Sequence, residues 1–246
     1  MATNWDWQLY CTDMVTNEAA PKCFGAPGYD TYLDAMIHAW GWTMYVSIAG
    51  LAVALIVGSL IGVLRTVPNR KLAMVGEVWT ELFRNIPLIV QVFLWYHVMP
   101  QLFTPLRDVP SAILVIVAIG FFTSARIAEQ VKAGIQTLPK GQRYAGLAMG
   151  LTLPQTYRYV LLPMAFRIVI PPLTSESMNI VKNSAVAFAV SIPELAQYAQ
   201  QASEQSNFLQ IFLPVTLLYF ISGFAINRLA KVIEHGVRVP GILGAK

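Results

Sequence analysis

Charge is what this sequence has least of. Only 12% of its 246 residues are Asp, Glu, Lys or Arg, against 56% apolar, and the mean hydropathy is +0.54. A soluble protein of this size needs more charge than that to cover its surface. The three histidines, His38, His97 and His235, lie far apart and lack ligand spacing, so no metal site is read. No G-x-x-x-x-G-K-[ST] occurs, and nothing here can cradle nucleotide phosphates. A nucleophile–His pair and H-E-x-x-H are also missing, which removes the case for a membrane-embedded enzyme. No cleavable signal peptide is visible, because the first stretch carries Asp6, Asp13, Glu18, Lys22 and Asp30 and no apolar core. The first span would then serve as the targeting signal.

What is there is a set of apolar stretches long enough to cross about 30 Å of hydrocarbon. Spans are expected at about 35–64, 76–99, 111–131, 168–192 and 208–230. The fourth is weakly hydrophobic and carries Pro171, Pro172, Glu176 and Lys182. The net charge of +4 and pI near 9.1 do not signal nucleic acid, since the basic residues flank the spans. One side holds Arg65, Arg70, Lys71, Lys132, Lys140, Arg143, Arg158, Arg167, Arg228, Lys231, Arg238 and Lys246; the other holds Lys22 and Arg107. The positive-inside rule puts the N-terminus outside and the C-terminus in the cytoplasm.

The expected fold is therefore an all-α integral membrane protein of five spanning helices. Residues 1–34 form an outer tail, 35–234 the transmembrane domain, and 235–246 a cytoplasmic tail. Cys11 and Cys23 both lie in the outer tail, where a disulfide closing a short loop and two free thiols are both open. Trp5 and Trp7 are read as anchors of the tail at the outer interface. Gly58 and Gly62, with Ala54 one turn earlier, form a small-residue face for close helix packing.

Ionisable groups within spans cost about 2.5–3.5 kcal/mol each at a helix centre, so each needs a reason. Arg84 follows Glu81 by three positions and Arg126 precedes Glu129 by three, spacings that let each pair meet on one helix face. Structural ion pairs near the inner mouth and contacts to a solute are both open for them. Lys182 lies about 14 residues into the fourth span, roughly 21 Å from its cytoplasmic end. No acid stands at i±3 or i±4 from it, and Asn183 and Ser184 follow. Lys182, Asn183 and Ser184 are the leading candidates to receive an anionic group of a solute; an acid on another helix is the competing partner for Lys182.

The segment 132–167 is neither a span nor disordered. Two short amphipathic helices are read in it, about Lys140 to Met149 and Pro154 to Leu162, with Pro163 ending the second. Gly150 sits between them, where a helix cap needs φ > 0. Such a pair suits a docking surface for another protein, or a helix lying on lipid headgroups.

This segment resembles the EAA motif of binding-protein-dependent ABC importer permeases, in which E-A-A is followed by a spaced Gly and then by I-x-L-P. Ala145, Gly150, Leu162 and Pro163 match in register, and Val160 is conservative. Tyr144 stands where the family has Glu, and Gly146 where it has the second Ala. The segment Ala39 to Met44 looks like the beginning of the family's first span. Glu81 to Gln91 and Val181 to Ala185 look like segments of polar amino acid permeases. Together these most resemble the permease subunits of glutamate/aspartate importers.

The resemblance implies the type I ABC importer permease fold in a bacterial inner membrane, with the tail periplasmic. It implies ATPase subunits that bind ATP and Mg, a second permease chain, a periplasmic solute-binding protein and an amino acid substrate; this chain itself holds no cofactor. Tyr144, Ala145, Gly146, Leu147, Gly150, Leu151, Leu162 and Pro163 would form the ATPase-coupling surface. A secondary transporter or channel is the rival reading. Five spans without an inverted repeat leave too few helices for a self-sufficient pathway, and a channel gives no reason for the ordered helix pair.

Overall fold

Thr31 opens the first long helix. Its hydroxyl accepts from the Asp34 N–H, and Asp34 stands in the first turn, where a carboxylate offsets the positive helix end. In the computed structural model, which describes residues 5–237, this helix α1 runs Tyr32–Leu64. Asn69 caps α2 (Arg70–Asn85) by accepting from the Lys71 and Leu72 N–H groups. Pro87 then forces Ile86 into an extended conformation and ends the helix.

The chain resumes as α3 (Leu88–Phe93), a π turn (Leu94–Val98) and α4 (Met99–Leu102). Next come α5 (Ser111–Gln136), α6 (Lys140–Ala148), α7 (Leu153–Thr156) and α8 (Leu162–Ser184). A 3-10 segment (Ala185–Val190) precedes α9 (Leu195–Gln205) and α10 (Phe208–Val237). Among the described residues there is no strand, only isolated bridges between Thr12 and Ala19 and between Asp13 and Thr31. Arg238 and Lys246 lie outside the described residues.

Among the described residues three helices are long and apolar enough to cross a membrane: α1, α5 and α10; α2 with α3–α4 passes only as a pair bent by 104°. The expected second span is thus broken at Ile86–Pro87, and a side chain repairs the break. The Gln91 amide donates to the carbonyl oxygens of Phe83 (2.8 Å) and Ile86 (2.9 Å), groups that a helix end leaves without backbone partners. Trp79 and Phe83 of α2 meet Phe121 of α5 in edge-to-face ring contacts and hold α2 against that helix.

The expected second short helix does not end at Pro163. A π turn (Tyr157–Leu161) joins α7 to α8, with the Leu162 N–H donating to the Tyr157 carbonyl. The widened turn gives the proline ring room and needs no N–H from it, so the chain stays helical. Met99 makes the same bond to Leu94 just before Pro100.

Helices α1 and α5 run side by side in the same direction, and glycines set how close they come. A Cβ on Gly58 would lie 2.7 Å from the Ser124 carbonyl oxygen, and one on Gly62 would lie 2.6 Å from the Val131 Cβ. Any side chain there overpacks the seam, at about 1–3 kcal/mol. Helix α8 runs opposite to α5, with Val169 against Gly134 and Ile180 reaching Gly50 beside Ile119. Helix α8 is long enough to span but too polar to qualify on composition.

The N-terminal region is a folded cap, not a loose tail. Cys11 and Cys23 are joined by a disulfide. The buried Asp13 carboxylate accepts from the Val15 and Thr16 N–H groups (2.8 Å each) and from the Asp30 N–H (2.7 Å). The Tyr10 hydroxyl donates to the Gln210 carbonyl (2.6 Å) and the Tyr32 N–H to the Thr12 carbonyl (3.1 Å), which fastens the cap to α10 and α1, while the Tyr198 hydroxyl donates to the Tyr32 carbonyl (3.0 Å) and ties α9 to α1. Trp5 packs against this cluster, whereas Trp7 is 72% exposed.

These three N–H donors hold the Asp13 carboxyl down to about 2. A carboxylate whose folded value is depressed stabilises the fold above its unfolded value, near pH 4, and loses that contribution as pH falls toward 2. Melting of the cap is therefore expected to shift down between about pH 4 and about pH 2. Asp13→Asn is expected to lower the melting temperature at neutral pH and to flatten this acid dependence; parallel pH profiles for both proteins would refute it.

Candidate functional site

Polar residues of α5 recur at Arg126, Glu129 and Gln130, one to two turns after Phe122, and so share one face of an apolar helix. That face meets Arg84 of α2 and Glu176 of α8 to line an open cleft of about 500 Å³. Glu176 is buried, with its side chain 6% exposed, and it takes Arg126 Nε at 3.2 Å and the Gln130 amide at 3.1 Å. Arg84 reaches Glu129 at 3.7 Å and remains 55% exposed.

Neither i,i+3 pair expected from the sequence forms. Glu81 accepts from Asn85 instead of pairing with Arg84, and Glu129 pairs with Arg65 and Arg84 instead of Arg126. The reason is desolvation. Facing helices offer buried partners, and a charge gains more there than beside a solvated neighbour on its own helix.

Behind the cleft stands Arg65, whose side chain is 1% exposed. Its guanidinium binds Glu77 of α2 and Glu129 of α5, both at 2.8 Å, and Lys132 joins Glu77 at 3.3 Å. Sequence reasoning counted Arg65 as a flanking charge. Its cue was Gly76, since a Cβ there would come within 2.6 Å of the Arg65 Cγ.

Lys182 lies away from this cleft, in the last turn of α8, with its side chain exposed and without an ion pair or hydrogen bond among the described residues. A cation suits a helix C-terminus. Asn183 is half-buried beside it. Ser184 is buried, and its hydroxyl donates to the Val181 carbonyl (2.7 Å), so it turns into the helix packing. Beyond the 3-10 segment, Glu194 is fully buried as the N-cap of α9. It accepts from the Gln197 N–H (2.9 Å) and the Tyr219 hydroxyl (2.6 Å), and burial pushes its carboxyl up.

At the far end of the bundle, α6 closes with Gly150 at φ +84°. Leu151 N–H bonds the Gly146 carbonyl and Gly150 N–H the Leu147 carbonyl, the paired bonds of a left-handed helix cap. Gly146 is buried because the Thr156 methyl lies 2.9 Å from where its Cβ would stand. That contact accounts for glycine at this place in the motif. Leu162 is half-buried and Pro163 exposed; Tyr144, Ala145, Leu147 and Met149 face outward, Tyr144 at 65% and Met149 at 83%. Tyr157, which no sequence signal marked, is buried and donates to the Thr66 carbonyl (2.8 Å), tying this end to the α1–α2 turn.

Residues 35–239 match the model of the family described as "Binding-protein-dependent transport system inner membrane component". The chain is 40% identical to the glutamate/aspartate import permease protein GltJ of Escherichia coli K12, with 100% of both chains covered. It is 31% identical to a probable glutamine ABC transporter permease protein, GlnM of Bacillus subtilis strain 168, over 84% of this chain and 94% of that one. Among solved structures, an amino acid ABC transporter with histidines superposes with a TM-score of 0.72 at 23% identity, covering 83% of this chain and 95% of that one. The MetNI methionine ABC transporter in an inward-facing conformation gives 0.73 at 23% identity, over 84% and 98%.

Proposed function

The chain belongs to the binding-protein-dependent transport system inner membrane components, and we propose that it supplies one half of the pathway of an ATP-driven importer of glutamate and aspartate. The observation that carries the substrate class is the α2–α5–α8 cleft, where the part-exposed guanidiniums of Arg84 and Arg126 stand by the buried Glu176 carboxylate. An acidic amino acid brings two carboxylates and one ammonium, the complement of that set. The likeness to a glutamate/aspartate permease supports the same choice.

In this reading α8 is the fourth of five crossings in a bacterial inner membrane, with the cap periplasmic and the C-terminus cytoplasmic. Its charges are tolerated because Glu176 is buried against α5. Lys182 and Asn183 then lie nearer the outer mouth, where an exposed cation draws anionic solutes toward the cleft. The partners are a related permease chain, a periplasmic solute-binding protein and ATPase subunits holding ATP and Mg. Tyr144, Ala145 and Leu147, with Gly150 and Leu151 at the turn, face the ATPase, while Gly146, Leu162 and Pro163 set the angle of that surface. Closure of the ATPase pair would move the spans as rigid bodies and alternate access to the cleft.

Two measurements test this. Arg84→Gln keeps hydrogen-bond donors but removes a charge-assisted bond worth about 1.5–3 kcal/mol. In proteoliposomes of the complete assembly, the ratio of glutamate to glutamine uptake is expected to fall about 10- to 100-fold. An unchanged ratio would remove Arg84 from substrate recognition. Leu147→Asp places a charge on the outward apolar face of α6, and ATPase subunits retained on purification are expected to drop on the order of tenfold. Full retention would take the coupling surface elsewhere.

A further inference from the structure

An open groove of about 960 Å³ lies between the disulfide-closed cap, the start of α1 and α9, and among the described residues no Lys or Arg lines it. Asp30, Asp34 and Glu204 contribute its charge, and Met14, Val15 and Phe24 its apolar wall. Val15 is 81% exposed and Phe24 58% exposed, although both stand on the cap, beyond the first long apolar helix. Exposed apolar side chains ringed by polar groups mark a contact surface, for protein or for lipid, and the charge of the lining decides between them.

We propose that this groove is the docking surface for the solute-binding protein, and that it receives a Lys or Arg of that protein flanked by apolar side chains. The proposal rests on the importer reading above. Its carboxylates, Asp30, Asp34 and Glu204, stand with His38 and no Lys or Arg among the described lining residues, so the groove disfavours anionic lipid headgroups and selects a basic partner by charge complementarity.

The groove is preorganised for such a contact. The disulfide and the Asp13 hydrogen bonds fix the cap loop, and an anchored loop loses little freedom on binding. It is also wired to the spans. Glu194 caps α9 while accepting from Tyr219 of α10, and the Leu195 N–H donates to the Thr43 hydroxyl of α1. A partner pressing on the cap and α9 therefore loads α1 and α10 together.

The test uses the complete complex in nanodiscs and the solute-binding protein that stimulates its ATP hydrolysis when loaded with glutamate, aspartate, glutamine or asparagine. The quantity read is the binding-protein concentration for half-maximal stimulation. Asp30→Lys with Glu204→Lys is expected to raise it at least tenfold. The neutral pair Asp30→Asn with Glu204→Gln is expected to raise it severalfold, as is Phe24→Ser, with both permease chains still co-purifying. Cys11→Ser with Cys23→Ser is expected to raise it as well, by loosening the cap. An unchanged half-maximal concentration in the charge-reversed and Phe24→Ser complexes overturns the proposal. Should charge reversal prevent assembly, the neutral pair and Phe24→Ser decide in the same way. Loss of the second permease chain from the neutral variants also overturns it, because the groove would then face that chain. A wild-type complex that no solute-binding protein stimulates brings down the importer reading itself.

Discussion

Arg65→Ala is expected to cost about 3–5 kcal/mol of stability, the range for removing one partner of a buried ion pair. The side chain is 1% exposed, and it is the link through which α1, α2 and α5 share charge. Without it Glu77 keeps only Lys132 at 3.3 Å, and Glu129 keeps only Arg84 at 3.7 Å. The vacancy beside Gly76 adds a packing loss, since glycine there is shaped to the Arg65 stem. Thermal melting of the purified chain in detergent reads the effect directly. Arg65→Met combined with Glu129→Gln should recover much of the loss, because it removes a stranded charge along with its partner. A single mutant that melts with wild type would show that the network is solvated and of little weight.

The second large effect concerns transport. Arg126→Ala removes a candidate carboxylate ligand and leaves Glu176 buried with only the Gln130 amide. Glutamate uptake by the reconstituted assembly is expected to fall on the order of 100-fold, about 2.7 kcal/mol. Part of that loss could come from misfolding, and Arg126→Ala with Glu176→Gln separates the two. The double variant no longer buries an unpaired charge, so it should assemble normally and still fail to transport. Lys182→Ala is the comparator: an exposed cation outside the cleft contributes through screened attraction, so its loss should slow uptake severalfold and less so at high salt. Equal losses for Arg126 and Lys182 would place the substrate site nearer the end of α8 than the cleft.

Much of the molecule can be read without coordinates. The scarcity of charge requires a membrane, and runs such as those in α1 and α10 require helices, because backbone groups in lipid must be satisfied within their own segment. Gly150 at φ +84° answers a local need, a left-handed cap, and local needs are written locally. The Gly58–Gly62 face likewise announced close packing, although only the fold names Ser124, Ile127 and Val131 as its counterpart. Pro163 misled because proline's cost depends on the turn before it, and a π turn removes that cost.

The charges show where local information stops. Three-residue spacing says that Arg84 can meet Glu81 and that Arg126 can meet Glu129; it cannot say which helix lies opposite. Once α1, α2, α5 and α8 pack, each pair across helices has one buried member, Glu176 for Arg126 and Arg65 for Glu129, and the pairs become Arg126–Glu176 and Arg65–Glu129. Few charges and long apolar runs made this a membrane protein from the sequence by itself, and the segment from Tyr144 to Pro163 carried its resemblance to importer permeases. Which of those few charges face each other was decided only by the packing, because the strength of an ion pair is set by the water excluded around it.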